Sequence, residues 1–330
     1  MAISGVLLGA LLISLAYAWG PEKHWFIALF QYLPYPVYLL PTLAVVTGSV
    51  LLGWRWRIAA LVALGLTLFP VMGLNWSSGD EGEGSLRVMS YNAKVYKATH
   101  QPQGLEKLAW EIAQHDPDIL LMQDAPNLEM RRDSDPAVAH MFQGREVFMA
   151  GQYVVASRYP LHDCRVDWLP SQGQPLGYVH CLVNVRGATL ELFNVHFLTP
   201  REGLNATRHE KLQGVGEWEA NAAQRLEQAE ALARVVQAAR HPVIVGGDLN
   251  APEPSLVVRA LLNTGLRDSF SAAGKGFGHT YGHALRVGFS FLRIDHLLVD
   301  PLMGVASSTV GGGEASEHRP VIADLLLHRS

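Results

Sequence analysis

The chain has 330 residues, with 26 Lys and Arg against 30 Asp and Glu and a formal net charge of −4. That balance argues weakly against a protein that coats nucleic acid by bulk charge, and leaves open a nuclease with a local basic cleft. The length suits one large α/β domain plus an appendage, and a mean hydropathy of +0.11, high for a soluble enzyme, has its source at the front of the chain.

Ile3 to Trp19 is apolar and uncharged. Further apolar stretches run from about Tyr35 to Gly53 and from Ile58 to Leu74. Each is near the ~20 residues that cross a bilayer core. Trp19, Trp25, Trp54, Trp56 and Trp76 lie at their ends, as interfacial anchors do. The first stretch lacks the basic start of a signal peptide, the alternative reading, and more apolar sequence follows it. Residues 1–76 therefore read as a membrane anchor of about three transmembrane helices. Pro34, Pro36 and Pro41 keep a two-helix hairpin as the other choice. The positive-inside rule puts the Arg55/Arg57 turn in the cytoplasm, and residues 75–84, free of Lys and Arg, on the other side. This predicts a multi-pass protein of the inner or plasma membrane, partnered by the lipid bilayer, with an extracytoplasmic C-terminal domain.

Gly, Ser and acidic residues from Ser77 to Gly84 predict a linker over 77–85 and a catalytic domain over 86–330. Leu86 to Tyr91 reads as a strand. Gly104 to His115 reads as a helix with Leu105, Leu108, Ala109 and Ile112 on one face. Strands follow at 118–122, 147–157, 179–185, 189–195, 243–245 and 294–299, with helices at 217–240 and 256–263. The neighbours joined at Arg186-Gly187 predict antiparallel pairing. Strands mixed with helices along the whole domain predict an α/β two-sheet sandwich flanked by helices. Cys164 and Cys181 pair if the compartment is oxidising and are separate buried thiols otherwise; spacing does not decide.

The chemistry sits at strand ends. Asn92, Asp124, His196 and the Asp248-Leu-Asn250 run each follow an apolar strand; Asp295 begins one and His318 precedes one. Singly, each is more often a cap, a turn residue or a core histidine. As an ordered set they read as one site at one sheet edge. Carboxylate and amide oxygens suit Mg²⁺ or Mn²⁺. Phosphoryl transfer needs such charge, a base for water and donors for the oxyanions.

The segments Leu86-Arg-Val-Met-Ser-Tyr-Asn92, Pro117-Asp-Ile-Leu-Leu-Met-Gln-Asp124, Ser157-Arg-Tyr-Pro160, Asn194-Val-His196, Gly247-Asp-Leu-Asn250, Arg293-Ile-Asp-His296 and Ser316-Glu-His-Arg-Pro320 carry a resemblance. The domain resembles the endonuclease/exonuclease/phosphatase superfamily, of DNase I-like fold. With its anchor, the chain resembles teicoplanin-resistance-type membrane proteins. The resemblance implies a four-layer α/β sandwich and a metal-dependent phosphoester hydrolase. It implies that Asn92, Asp124 and Glu317 hold Mg²⁺ or Mn²⁺, and that His196 contacts the phosphate. Asp248 would activate water, Asn250 hold a phosphate oxygen, and Asp295 orient His318. The family usually has Glu at position 124 and Asp at 317, so here one carboxylate is shorter and the other longer. If both reach one metal, the two changes compensate.

Arg201, Arg208 and Tyr281 are substrate-binding candidates, and His279, His283 and Arg286 lie near Tyr281 in a Gly-rich loop. An anchored extracytoplasmic site favours a lipid-linked or phospholipid phosphate ester. A tethered nuclease acting on nucleic acid is the alternative. A binding module that has lost catalysis is the third reading, opposed by the joint presence of Asn92, His196, Asp248, Asn250, Asp295 and His318.

Overall fold

A computed structural model describes residues 1–82, 85–169 and 176–327. The chain opens with helices α1 (Ala2–Trp19), α2 (Trp25–Phe30), α3 (Pro36–Ser49) and α4 (Trp54–Leu66), the last continued by a π-turn at Thr67–Val71. Strand β1 (Asn75–Trp76) leads into β2 (Ser85–Asn92), α5 (Val95–Ala98), α6 (Gly104–His115) and β3 (Ile119–Gln123). Next come α7 (Leu128–Arg131), α8 (Pro136–Met141) and strands β4 (Glu146–Ala150) and β5 (Tyr153–Ser157). Strands β6 (Leu161–Leu169), β7 (Leu176–Val185) and β8 (Ala188–His196) precede helices α9 (Arg201–Glu210) and α10 (Val215–Gln237). The remainder is β9 (Val243–Asp248), α11 (Leu256–Leu262), β10 (Arg267–Asp268), α12 (Ser269–Ala273), β11 (Lys275–Gly276), β12 (Asp295–Val299), β13 (Met303–Val310) and β14 (Val321–Leu327).

Two six-stranded mixed sheets face each other, in the orders β13-β14-β2-β3-β5-β4 and β10-β12-β9-β8-β7-β6. The period-2 pattern explains the layering. On β2, Leu86 and Val88 point between the sheets, while Met89 and Tyr91 meet the helices. On β8, Leu190 and Leu192 face inward and Phe193 and Val195 face α10 and α11. Strands covered on both faces are apolar along their buried run, as Ile119 to Met122 of β3 are. The result is the expected helix–sheet–sheet–helix sandwich.

One strand expectation needs correcting. Residues 147–157 form a hairpin, with Ala150 paired to Tyr153 across a Gly151-Gln152 turn. Gly151 has φ 59, which glycine adopts freely and which ends the apolar run's reach as one strand. The turn delivers Gln152 to the side of His196, at the end of β8. The two cysteines are joined, Cys164 of β6 to Cys181 of β7.

At the front, α1 and Trp54–Val71 each span 18 residues with mean hydropathy 1.9 and 1.3, long and apolar enough to cross a membrane. Helix α3 has only 14 residues, with Pro41 inside it. At 1.5 Å per residue it reaches about 21 Å, short of a ~30 Å hydrocarbon core. Of the three stretches expected to span, two thus form helices of spanning length and the third falls short. All three turn one end toward the domain. Arg259 donates to the Tyr17 carbonyl and, at 2.7 Å, to that of Ala18 at the end of α1. Tyr35, before α3, stacks on His279. Phe69, Pro70 and Val71, after α4, share a cavity of about 430 Å³ with Pro252, Glu253 and Phe277.

The stretch read as a linker lies strapped along the domain as far as it is described. β1 pairs with β11, and Asp80 is ion-paired to Arg267 at 3.1 Å. Gly79 has φ 77, and a Cβ there would meet the Ala306 carbonyl oxygen at 2.3 Å, so close approach requires glycine.

Candidate active site

Strand pairing brings the site together. β2 runs parallel to β3, and β8 parallel to β9, so their C-terminal ends lie at one edge. β12 runs antiparallel to β9, placing Asp295 opposite Asp248. His318 sits just before β14, which pairs with the end of β2. Gly246 and Gly247 before Asp248 are needed because the neighbours are too close. A Cβ on Gly247 would lie 1.9 Å from the Val195 carbonyl oxygen.

Asp248 is the centre and is 1 % exposed. Its Oδ1 accepts from the Asn250 amide and its Oδ2 from Asn92 Nδ2, both at 2.9 Å. The same Oδ2 lies 3.5 Å from His196 Nε2 and 3.8 Å from His318 Nε2. His318 Nδ1 donates to Asp295 at 2.9 Å, forming the expected dyad. Asn250 Nδ2 donates to the Phe197 carbonyl at 2.9 Å. His196 Nδ1 donates to Gln152 Oε1 at 2.8 Å.

These surroundings separate the two histidines. Burial disfavours the charge on His196 and holds its pKa below the ordinary value, despite Asp248 and Asp124 nearby. Burial acts the same way on His318, but Asp295 and Asp248 outweigh it and raise its pKa. His196 is thus kept neutral and His318 is biased toward imidazolium. Burial and the repulsion of Asp295 push the Asp248 carboxyl up, which makes it a stronger base when ionised.

The residues expected to hold metal sit beside this centre. Asn92 is fully buried, and its Oδ1 has no hydrogen-bond partner among the described residues. Asp124 is ion-paired to Lys94 and Glu317 to Lys97. Glu317 Oε2 is buried and likewise without a partner among the described residues. Burial opposes ionisation of Asp124, but the Lys94 ammonium outweighs it and holds the carboxyl below the usual range. Asp248, Asp295 and His318 also offer ligand atoms within 4.8 Å of one another, but His318 Nδ1 is already engaged by Asp295. Mg²⁺ and Mn²⁺ prefer hard oxygens to imidazole. Asn92 Oδ1 and Glu317 Oε2, buried without a partner among the described residues, and the Asp124 carboxylate are donors of the kind such a cation takes.

A cleft of about 560 Å³ opens over Asp248, His196, Asn250 and His318. Arg201 and Arg208 of α9 line it, as does Tyr281, whose ring lies 4.8 Å from that of His318. The rest of the Gly-rich loop divides. His279 is outside this cleft, between Tyr35 and Phe277, where burial pushes its pKa down to about 4. His283 bonds Ser290 Oγ and the Ser316 carbonyl, and Arg286 is exposed.

Several residues at the site had no sequence signal. Lys94 lines the cleft in a left-handed conformation (φ 45), and Asp124 and Asn250 share that conformation (φ 52 and 51). Three such non-glycine residues at one edge mark strain held by their surroundings. Gln152 comes from the turn inside an apparent strand. Arg293 and His296, quoted above with Asp295, act behind the site: both bond Asp268, and His296 Nε2 donates to the Ala251 carbonyl at 3.0 Å.

Comparison with curated proteins finds no match. Among solved structures, an endonuclease/exonuclease/phosphatase from Bacteroides vulgatus aligns over 74 % of this chain and 100 % of its own, with TM-score 0.58 and 17 % identity. A mannosyl-6-phosphatase from Bacteroides thetaiotaomicron aligns over 74 % and 100 %, with TM-score 0.52 and 20 % identity. D. rerio TDP2, complexed with single-strand DNA product, aligns over 74 % and 99 %, with TM-score 0.55 and 15 % identity. These likenesses establish the fold. The sequence model of the endonuclease/exonuclease/phosphatase family matches residues 89–318, from within β2 to His318, and the chain belongs to that family.

Proposed function

We propose that this protein is a membrane-anchored, divalent-metal-dependent phosphoester hydrolase acting on an amphiphilic, lipid-linked or phospholipid substrate outside the cytoplasm. The observation that carries the reading is the make-up of the cleft. Its floor holds Asp248, His196, Asn250 and His318, and its wall holds Tyr32, Leu204, Leu285, Phe291 and Leu292. Tyr32 comes from the segment between the first two apolar helices. A phosphate on the floor would leave its apolar substituent along that wall, on the side where the apolar helices end.

Asp248 accepts a proton from the attacking water. His318, charged and oriented by Asp295, faces the developing negative charge, while Asn250 and Lys94 offer donors to phosphate oxygens. Asn92, Asp124 and Glu317 would hold Mg²⁺ or Mn²⁺, which draws charge from those oxygens. Arg201 and Arg208 add positive charge at the mouth.

Two further observations support the cellular side. The Cys164–Cys181 bond suits an oxidising compartment. Arg55 and Arg57 open α4 at the end of the helix cluster away from the domain, where the positive-inside rule wants cytoplasm.

The test is hydrolysis by detergent-purified protein with Mg²⁺ or Mn²⁺. The panel is a polyprenyl pyrophosphate, phospholipids, a soluble diester, and single- and double-stranded DNA. Metal-dependent turnover of a lipid, lost in Asp248→Asn, is expected. Cleavage of DNA alone would transfer the protein to the tethered nucleases.

A further inference from the structure

We propose that Tyr32, from the segment between the first two apolar helices, is a positioning residue for the active site, and that it sets Asp248 through the backbone of Asn250. The proposal rests on the hydrolase reading, because it gives Asp248 its role. Tyr32 lies outside residues 89–318, so the family match does not include it.

The contacts form one chain. Tyr32 Oη donates to the Asn250 carbonyl at 3.1 Å. Arg225 Nη1, from α10, donates to Tyr32 Oη at 2.7 Å and to the same carbonyl at 3.0 Å. Two donors thus grip one carbonyl. Asn250 is the residue whose left-handed backbone is costly for a side chain with a Cβ. Its amide then donates to Asp248 Oδ1, leaving Oδ2 toward Asn92 and the two histidines. The grip on the carbonyl fixes the peptide after Asn250 and so holds the dihedral angles of the residue whose amide, in the peptide before it, aims the catalytic carboxylate.

The brace is itself built in. Arg225 is fully buried. Its guanidinium lies 5.8 Å from the Tyr32 ring centre and 5.7 Å from that of Trp218, and its Nε donates to Asn221 Oδ1 at 3.2 Å. Trp218 meets Tyr32 edge-on and donates to the Trp25 carbonyl at 3.0 Å. Glu22 accepts from Ser255 Oγ and from the Leu256 amide at the start of α11. The segment from Glu22 to Tyr32 is therefore clamped to the domain on several sides, with Tyr32 Oη reaching the catalytic turn. How the membrane segment seats on the domain becomes a determinant of turnover.

The experiment is Tyr32→Phe in the full chain, which keeps the ring and its packing and removes only the hydroxyl. With Mg²⁺ and the best lipid substrate, kcat is expected to fall about tenfold, the equivalent of one hydrogen bond, while KM stays within about twofold. In an Asn250→Gly background the left-handed turn no longer needs holding, so the same change should cost less than about twofold. Hydrogen exchange of the 249–251 amides supplies a readout that needs no activity: Tyr32→Phe should speed it without altering α10. A wild-type protein silent on every substrate, with that exchange response intact, would remove the hydrolase reading and leave the brace standing. An active protein in which Tyr32→Phe changes neither kcat nor exchange, or costs as much in Asn250→Gly as alone, would overturn the brace.

Discussion

Each carboxylate oxygen of Asp248 and Asp295 has a partner from the site itself, whereas Asp124 and Glu317 each lean on a lysine. Asp248 accepts from Asn92 and Asn250, and Asp295 accepts from His318, all in the dry interior. The Asp124 and Glu317 side chains are 32 % and 22 % exposed, with Lys94 and Lys97 as their counter-charges. Groups that move protons are best held rigid and water-free, because rigid donors need no reorganisation at the moment of reaction. Groups that take up a cation need a charge they can exchange, and an ammonium at a partly open carboxylate is such a charge. On the proposed roles, the two halves of the site follow two rules, preorganisation and exchange.

Breaking the rigid half should cost most. Asp248→Asn keeps the shape and removes the base, and should lower kcat by about a thousandfold with the melting temperature little changed. Asp295→Asn should cost on the order of a hundredfold, since His318 loses its orientation and the charge that favours imidazolium. Steady-state kinetics beside a melting curve checks both, and a drop under about threefold for Asp248→Asn would remove it from the centre of the chemistry.

Behind that half, acid should act through Asp268. Burial opposes its charge, yet Arg293 and His296 outweigh burial and hold its carboxyl far below the usual range. A depressed folded pKa gives stability that is present above the unfolded value, about 3.9, and lost as pH falls below it. Melting temperature should therefore decline steadily below about pH 4, and Asp268→Asn should be less stable at neutral pH with a flatter acid limb. An acid limb unchanged in the variant would assign that loss to other carboxylates.

The exchange half should be more forgiving. Asp124→Glu alone is expected to cost about tenfold and Glu317→Asp alone a similar amount, while the double exchange recovers most of the loss. Simple additivity would mean that the two carboxylates do not share an ion. The smallest effect belongs to Lys97→Met. Freeing Glu317 of a half-exposed partner should tighten Mn²⁺ binding by about two- to fivefold in calorimetry, the worth of a screened ion pair. Weaker binding in that variant would make Lys97 part of the cation site rather than its competitor.

Much of the rigid half was legible in the sequence, because its residues stand where apolar strands end. Asn92, His196, Asp248, Asp295 and His318 each close or open such a run, and the mixing of strands with helices along the whole domain placed the runs in a two-sheet sandwich. Lys94, Gln152 and Arg225 were not legible. Lys94 reaches the cleft through a left-handed backbone that no local pattern signals. Gln152 hid inside an apolar run that a two-residue turn splits. Arg225 lies on a long helix among other charges, and only packing shows which of them is buried. Tyr32 read as part of an anchor, and its reach to Asn250 spans 218 positions of sequence.

The most direct measurement is kcat/KM in Mg²⁺ for a series of phosphate esters that differ only in the length of one apolar chain. The wild-type protein is compared with Asp248→Asn. Each methylene laid on the Tyr32–Leu285–Phe291 wall should raise kcat/KM by up to about fourfold, the worth of burying one CH₂, until the wall is covered. Turnover should fall about a thousandfold in Asp248→Asn and vanish on chelation of the metal. Equal rates for short and long chains, or hydrolysis that Asp248→Asn leaves within about threefold of the wild-type rate, would contradict the account.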